Sequence, residues 1–267
     1  MPLYYLFLIA AIQGLTEFLP VSSSGHLILL PRLTGMPDQG QVIDVAVHIG
    51  TLVAVVAYFW SDLKPGLAGI PRMLTGRIDT DGSRLAFLLM IATLPAVIFG
   101  VVLKLTGLSD MLRSITVIGW TMILFGILLY VMDQRGSTDK PAGKWSLRDA
   151  IIMGLWQAVA LIPGTSRSGI TITAARQLGY DRYSAAKLSM LMSVPIIFAS
   201  GIFLGAEVIM TADISSARDG AIAAGFSFLA ALLALTLMMR LLRSVSFTPY
   251  VIYRILLGIV LLTIAYS

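Results

Sequence analysis

Two short stretches carry most of the reactive side chains in this sequence. The first, QGLTEFLPVSSSGH at residues 13–26, holds the carboxylate of Glu17, the hydroxyls of Ser22, Ser23 and Ser24, and the imidazole of His26. The second, PGTSRSG at residues 163–169, sets Thr165, Ser166 and Ser168 around Arg167. Six hydroxyls and a guanidinium fork suit phosphate oxygens, and Gly25, Gly164 and Gly169 let backbone N–H groups approach such a ligand closely. Serine, histidine and glutamate are also the parts for activating a hydroxyl nucleophile, His26 supplying a general acid or base with an ordinary pKa near 6.5. Alternatively, Glu17 and the hydroxyls hold a divalent cation, Mg²⁺ or Ca²⁺, through oxygen ligands. One carboxylate is too few for an all-protein cage, so such a metal has to share substrate phosphate and water. The blander readings are helix capping for the Ser/Gly clusters and a structural ion pair for Glu17 with Arg167.

The elements that must position these groups lie in a bilayer. Of 267 residues, 57% are hydrophobic and 12% charged, and mean hydropathy is +0.89. A soluble domain carries about 25% charged residues, so this chain cannot cover a water-facing surface. Cysteine is absent, which excludes disulfides and thiolate chemistry. The net charge of +5 resides mostly in loop Lys and Arg, a membrane-protein pattern, so no nucleic acid partner is expected. The first basic residue, Arg32, follows the first apolar run, unlike a signal peptide, so residues 1–30 are expected in the mature protein.

Six segments are long and apolar enough to span: 42–60, 85–105, 115–132, 185–210, 221–239 and 250–266. Two others break. Leu3 to Leu15 runs into Thr16, Glu17 and Pro20, and resumes at Leu27 to Leu30 before ending at Pro31; Ile151 to Ile162 breaks at residues 163–169 before ITITAARQL. Each reads as two half-helices of a re-entrant hairpin, whose non-helical backbone must be buried in protein or line a water-filled cavity. The half-helices that follow each break offer unpaired donors and a positive dipole end.

GLTEFLPVSSSG aligns on GLWQAVALIPGTSRSG with Gly14 on Gly154, Leu15 on Leu155 and Glu17 on Gln157, a duplication of period about 140. Three spans separate the two hairpins, so the second enters from the face opposite the first. Loops 61–84, 133–149 and 240–249 are rich in Lys and Arg and are placed in the cytoplasm; Arg32, Arg113 and Arg218 fall outside, as do both termini. The fold expected is an all-α integral membrane protein in a single polytopic domain, an inverted-topology repeat of six transmembrane helices and two re-entrant hairpins. Repeat one covers about residues 1–132, repeat two about 150–267, and a cytoplasmic linker 133–149. In such architectures the site lies where the breaks converge, which lets Glu17 meet Arg167.

Weaker candidates are few. Asp44 and His48 share one helical face, either behind the site or with Asp44 as a helix cap. Arg254 reads as a snorkelling anchor, Lys187 and Arg176 likewise, Glu207 as interfacial, and the 13 methionines as adaptable packing.

EFLPVSSSGH and PGTSRSG resemble the two signature segments of the undecaprenyl-diphosphate phosphatase family, bacterial enzymes linked to bacitracin resistance. DVAVHIGTLVAV, SAAKLSMLMSVP and PYVIYR extend the resemblance in order along nearly the whole chain. It implies removal of the terminal phosphate of undecaprenyl diphosphate at the outer side of the inner membrane, regenerating the carrier lipid for cell-wall precursors. It assigns the family's serine before a hydroxyl, glycine and histidine to Ser23, its histidine to His26 and its phosphate-binding arginine to Arg167. Gln13 and Glu17 fall on the first signature's two acidic places, so Gln13 leaves one carboxylate where some members have two. Ser24 stands where many members have threonine.

Two mechanisms fit these residues: attack by Ser23 with His26 or Glu17 taking its proton, or attack by metal-activated water. The rival function is a polyprenyl-phosphate flippase or transporter of the same architecture. A homodimer is left open by the sequence.

Overall fold

The structure is a computed structural model that describes residues 1–36, 38–108, 112, 114–136, 139–211 and 214–267, with side chains at all of these except 32–33, 203–211 and 214–216. Twelve α-helices occur among the described residues: α1 Leu3–Phe18, α2 Ser23–Leu27, α3 Leu30–Thr34, α4 Gly40–Tyr58, α5 Trp60–Leu74, α6 Asp81–Thr106, α7 Ile115–Arg135, α8 Leu147–Val159, α9 Arg167–Gln177, α10 Arg182–Thr211, α11 Ile214–Leu241 and α12 Thr248–Tyr266. No strand forms among them; Lys140 and Tyr180 make one isolated parallel bridge.

Six helices, α4, α6, α7, α10, α11 and α12, are long and apolar enough to cross a membrane, and they coincide with the six expected spans. Their apolar residues also face outward: Leu229, Leu233, Leu237 and Leu241 recur every fourth residue on the exposed side of α11, as expected where lipid rather than water is the solvent. Pro95 and Pro195 sit inside α6 and α10 without ending them.

The two broken stretches give short helices. α1 has 16 residues and α8 has 13. At 1.5 Å per residue they rise about 24 and 20 Å, short of the roughly 30 Å hydrocarbon layer. α1 ends just before Pro20, because the residue preceding proline is pushed out of helical geometry, and α8 ends at Val159, ahead of Pro163.

α1 packs against α11, and α8 against α6, each crossing to the other half of the chain. Both contacts rest on a glycine. A Cβ on Gly14 would stand 2.6 Å from the Ser227 carbonyl oxygen, and one on Gly154 would stand 2.8 Å from that of Ala92. Close backbone approach through small residues is the usual glue of helices in lipid.

The structure corrects the sequence reading at several points. Residues 61–74, expected within the loop 61–84, belong to α5; Pro65 and Pro71 hid it, yet Gly69 lets it lie against the first turn of α6. The run beyond the first break does not end at Pro31. It divides into α2 and α3, and Pro31 lies in the first turn of α3, where a missing N–H costs nothing.

Arg176 is not an anchor at the lipid interface but is fully buried, donating to the Asp133 carboxylate and to the carbonyls of Asp133, Gly136 and Tyr180. Lys187 does not snorkel either; it pairs with Asp62 at 2.6 Å. Arg113 and the side chains of Arg32 and Glu207 lie outside the described residues.

The three basic segments gather at one end of the bundle. Arg84 donates to the Trp145 carbonyl, and the Phe247 amide donates to Asp133.

Candidate active site

The breaks converge. Arg167 Nη2 lies 3.0 Å from Glu17 Oε1, and the Gly164 amide is 3.4 Å from Ser24 Oγ. Between them lies a cavity of about 130 Å³ lined by Glu17, Ser22, Ser23, Ser24, Ala160, Gly164, Ser166 and Arg167.

The helix register differs from the expected one in a way that matters. Glu17 sits in the last turn of α1 rather than in the break. Ser23 and Arg167 are the first residues of α2 and α9, so they project from helix starts and not from irregular loop. The preceding residues are matched: Ser22 and Ser166 both have φ 69°, the only non-glycine positive values among the described residues. Each serine hydroxyl then lies close to the one two residues on, Ser22 to Ser24 at 3.1 Å and Ser166 to Ser168 at 3.2 Å. Side chains dislike this backbone region by about 1–3 kcal/mol, and such residues concentrate at ligand clamps.

Glu17 is the hub. Oε2 accepts from Ser23 Oγ at 3.1 Å and from Gln13 Nε2 at 2.8 Å, while Oε1 accepts from Arg167. Arg167 also donates to the Ser189 carbonyl and stands 5.9 Å over the Phe18 ring, which fixes the plane of its fork. A hydroxyl held on a carboxylate beside a guanidinium can lose its proton to that carboxylate while the cation draws in a phosphate. His48 Nε2 lies 3.9 Å from Glu17 Oε2, closer to the chemistry than its weak signal in sequence indicated. Asp44 does not cap α4; it lies inside the helix, accepts from Gln39, and its carbonyl meets His48 Nδ1.

Other expected site residues are placed differently. His26 does not line the cavity and does not reach Ser23. Its Nδ1 lies 2.8 Å from the Ser22 carbonyl, its Nε2 is 2.6 Å from Tyr253 Oη, and the two rings stack 6° from parallel. A carbonyl only accepts, so Nδ1 carries the proton and Nε2 accepts from the tyrosine. Of the two bases considered for Ser23, Glu17 is therefore the one in contact.

The glycines also make room within the protein, and Gly164 lines the cavity. A Cβ would meet Met122 Sδ at Gly25, Thr121 Oγ1 at Gly164 and Arg254 Nη1 at Gly169, so these positions make room for protein neighbours. Gly164 also needs its φ of 86°. Ser168 donates to the Leu19 carbonyl and ties the breaks together, and Thr165 is fully buried.

Arg254 is the residue most misread from sequence. It is fully buried, not an anchor in the headgroups, and donates to the carbonyls of Gly164 at 3.1 Å, Thr165 at 2.8 Å and Pro20 at 3.5 Å. One guanidinium thus clasps both breaks. The signal was available: Arg254 is the seventh residue of α12, two turns in and far from a helix end.

The model of the family described as bacitracin resistance protein BacA matches residues 6–260. A protein of Jannaschia sp. (strain CCS1) named undecaprenyl-diphosphatase is 70% identical over 267 residues, the full length of both chains. One of the same name from Ruegeria pomeroyi is also 70% identical over the full length of both. Undecaprenyl-diphosphatase 1 of Rhodospirillum rubrum is 45% identical across all of this chain and 96% of its own.

Proposed function

The chain belongs to the bacitracin resistance protein BacA family, and on that premise we propose that it hydrolyses undecaprenyl diphosphate to undecaprenyl phosphate and inorganic phosphate. The observation that carries this reading is the single cavity in which Ser23, Glu17 and Arg167 meet, built from two breaks far apart in sequence.

Arg167 binds the terminal phosphate and lowers the charge that repels a nucleophile. Ser23 Oγ attacks the terminal phosphorus as Glu17 takes its proton. The bond from that phosphorus to the bridging oxygen breaks, and undecaprenyl phosphate leaves. Water then releases phosphate from the serine. The hydrogen bond from Ser23 to Glu17 favours this order over direct attack by water.

A divalent cation fits only in company with substrate. Both Glu17 oxygens already accept hydrogen bonds, and no group of three His, Cys, Asp or Glu able to hold a metal occurs among the described residues. Glu17 and the hydroxyls of Ser22, Ser23 and Ser24 would hold it together with phosphate oxygens, and it would neutralise charge on the diphosphate.

The two short helix pairs are read as re-entrant hairpins of an inverted repeat, threaded from opposite faces. The support is their insufficient length, the matched Ser22 and Ser166, and the reciprocal packing of α1 on α11 and α8 on α6. The basic end faces the cytoplasm by charge asymmetry, and the site opens to the outer face of the inner membrane.

Phosphate release from a long-chain polyprenyl diphosphate by purified protein tests this reading. Wild type is expected to be active, a chelator to slow it, and Ser23→Ala, Glu17→Ala and Arg167→Ala to be severely impaired. Folded variants that all keep the wild-type rate overturn the site, and lipid movement across a sealed vesicle without phosphate release replaces the phosphatase with a flippase.

A further inference from the structure

Away from the catalytic cavity, a larger one of about 330 Å³ opens at the basic end of the bundle, between the first two turns of α6, the segment before α8 and the early part of α10. Leu85 and Leu88 of α6, with Leu188 and Leu191 of α10, give it an apolar wall. Its charged side chains are Asp62, Asp81, Arg84 and Lys187, two of each sign. Lys187 and Asp62 neutralise each other in an ion pair of 2.6 Å. Arg84 and Asp81 do not. Arg84 donates one guanidinium N–H to the Trp145 carbonyl at 3.3 Å, and Asp81 makes no ion pair or side-chain hydrogen bond among the described residues.

An acid in the first turn of a helix suits the helix dipole whatever else it does, so Asp81 alone points to nothing. Trp145 supplies the second sign. It lines the same cavity, is 3% exposed, and its indole Nε1–H has no acceptor among the described residues. Buried indole N–H groups ordinarily find one, because a donor cut off from water without a partner is costly. One cavity thus holds an unmatched donor, a guanidinium with further N–H groups to give, and a carboxylate with nothing to accept from.

We propose that this cavity binds the head group of an aminophospholipid, of the phosphatidylethanolamine class, from the leaflet at the basic end. Phosphodiester oxygens accept from Arg84 and from Trp145 Nε1–H, the primary ammonium donates to Asp81, and the glycerol and first methylenes lie on the leucine wall. Charge selects the class: the lining is neutral in sum, so an anionic lipid leaves Asp81 opposed, and a quaternary ammonium has no N–H to give it. The leucines select a lipid over a soluble zwitterion. Trp60 and Leu147, each two residues from a lining residue, are 50% and 46% exposed, as side chains bathed in lipid are. The volume admits a head group but not acyl chains, which stay in the bilayer. None of the residues named here lines the catalytic cavity, so the proposal stands apart from the phosphatase reading.

Native mass spectrometry of the full chain in detergent, titrated with dioleoyl phosphatidylethanolamine, phosphatidylcholine or phosphatidylglycerol, tests it. Wild type is expected to hold the ethanolamine lipid about tenfold more tightly than the other two. Asp81→Asn, at an exposed position without protein partners, should erase that preference by weakening the ethanolamine lipid about tenfold and leaving the others unchanged. Arg84→Gln should weaken all three, and so should Trp145→Phe, which keeps an aromatic ring but loses the N–H. Arg167→Met, in the catalytic cavity, should leave retention of the ethanolamine lipid as it is in wild type. Soluble phosphoethanolamine, which has nothing to lay on the leucines, should bind about a hundredfold more weakly.

Equal retention of the three lipids by wild type overturns the assignment, as does a preference that survives in Asp81→Asn. So does binding lost in Arg167→Met and kept in Arg84→Gln, which moves the lipid to the catalytic cavity, and so does phosphoethanolamine binding as tightly as the lipid. Should Arg84→Gln or Trp145→Phe fail to fold, Asp81→Asn decides alone. Failure of the phosphatase reading looks different: wild type releases no phosphate, and none of these lipid measurements changes.

Discussion

Arg167 and Glu17 touch at 3.0 Å although 150 residues separate them in the chain, and each is almost surrounded by protein. Neither charge is comfortable alone, since an unpaired buried ion costs several kcal/mol. Glu17→Gln and Arg167→Met are each expected to lower kcat/KM by about a hundred- to a thousandfold, the usual loss when a charge-stabilising group leaves a closed site. Because the residues act as a unit, the double variant should be far less impaired than the product of the two single losses. Arg167→Lys should not rescue, as an ammonium cannot span carboxylate and phosphate as the planar fork does. Phosphate release from a polyprenyl diphosphate measures all four, and losses that multiply would show that the two side chains act separately.

The parts legible in the sequence were those with a strong physical signature. An arginine and a glutamate inside apolar runs are costly enough to mark the site, and hydropathy marked the six long helices. What stayed hidden depended on relations between distant segments. α5 was obscured because its two prolines and polar residues read as loop, while the packing of Gly69 against α6 that stabilises it is tertiary. His26 looked like the base because it follows the serines closely, but the turn of α2 sends its ring to Tyr253, a residue near the other end of the chain. Arg254 and Arg176 looked like anchors because arginine buried without an adjacent acid is rare. Their partners, backbone carbonyls and Asp133, cannot be read from sequence.

Arg254 supports the site by satisfying carbonyls on both breaks, so its removal should harm the fold as well as the rate. Arg254→Met fills similar space but leaves those buried acceptors without a donor, at a cost of about 1–3 kcal/mol for such a group. A clearly lower melting midpoint in detergent is expected, with activity lost in the fraction that stays folded. A variant as stable as wild type would mean that water or other donors take over those carbonyls.

Asp149 offers a pH-dependent contribution at the basic end of the bundle. Burial pushes its carboxyl up, but hydrogen bonds from Lys140 at 2.6 Å, Tyr180 at 2.7 Å and the Ser146 amide outweigh this, and hold it below the usual carboxylate range. A carboxyl depressed in the folded state contributes its full stabilisation above the ordinary Asp value of about 3.9, and loses it as pH falls through the lower folded value. Wild type should therefore melt above Asp149→Asn at neutral pH, and the gap should close only below about pH 4. A gap that does not change between neutral and strongly acid pH would mean that the carboxylate's charge contributes nothing.

The matched backbone of Ser22 and Ser166 gives the sharpest test of strain, because two substitutions at each position separate the hydroxyl from the conformation. Alanine removes the hydroxyl but keeps a Cβ at φ 69°; glycine removes both the hydroxyl and the steric penalty. If the penalty is present, Ser22→Gly and Ser166→Gly should each be more stable than the matching alanine variant by about 1–2 kcal/mol, against the ordinary preference for alanine over glycine. Ser166 should lose more overall, since its hydroxyl also caps the Gly169 amide at 3.2 Å whereas that of Ser22 caps nothing. The glycine variants should nevertheless release phosphate more slowly than wild type, because a freed backbone no longer holds Ser23 or Arg167 against Glu17 before substrate arrives. Equal melting midpoints for glycine and alanine at both positions would remove the strain from this account, and glycine variants with wild-type rates would remove its role in holding the site ready.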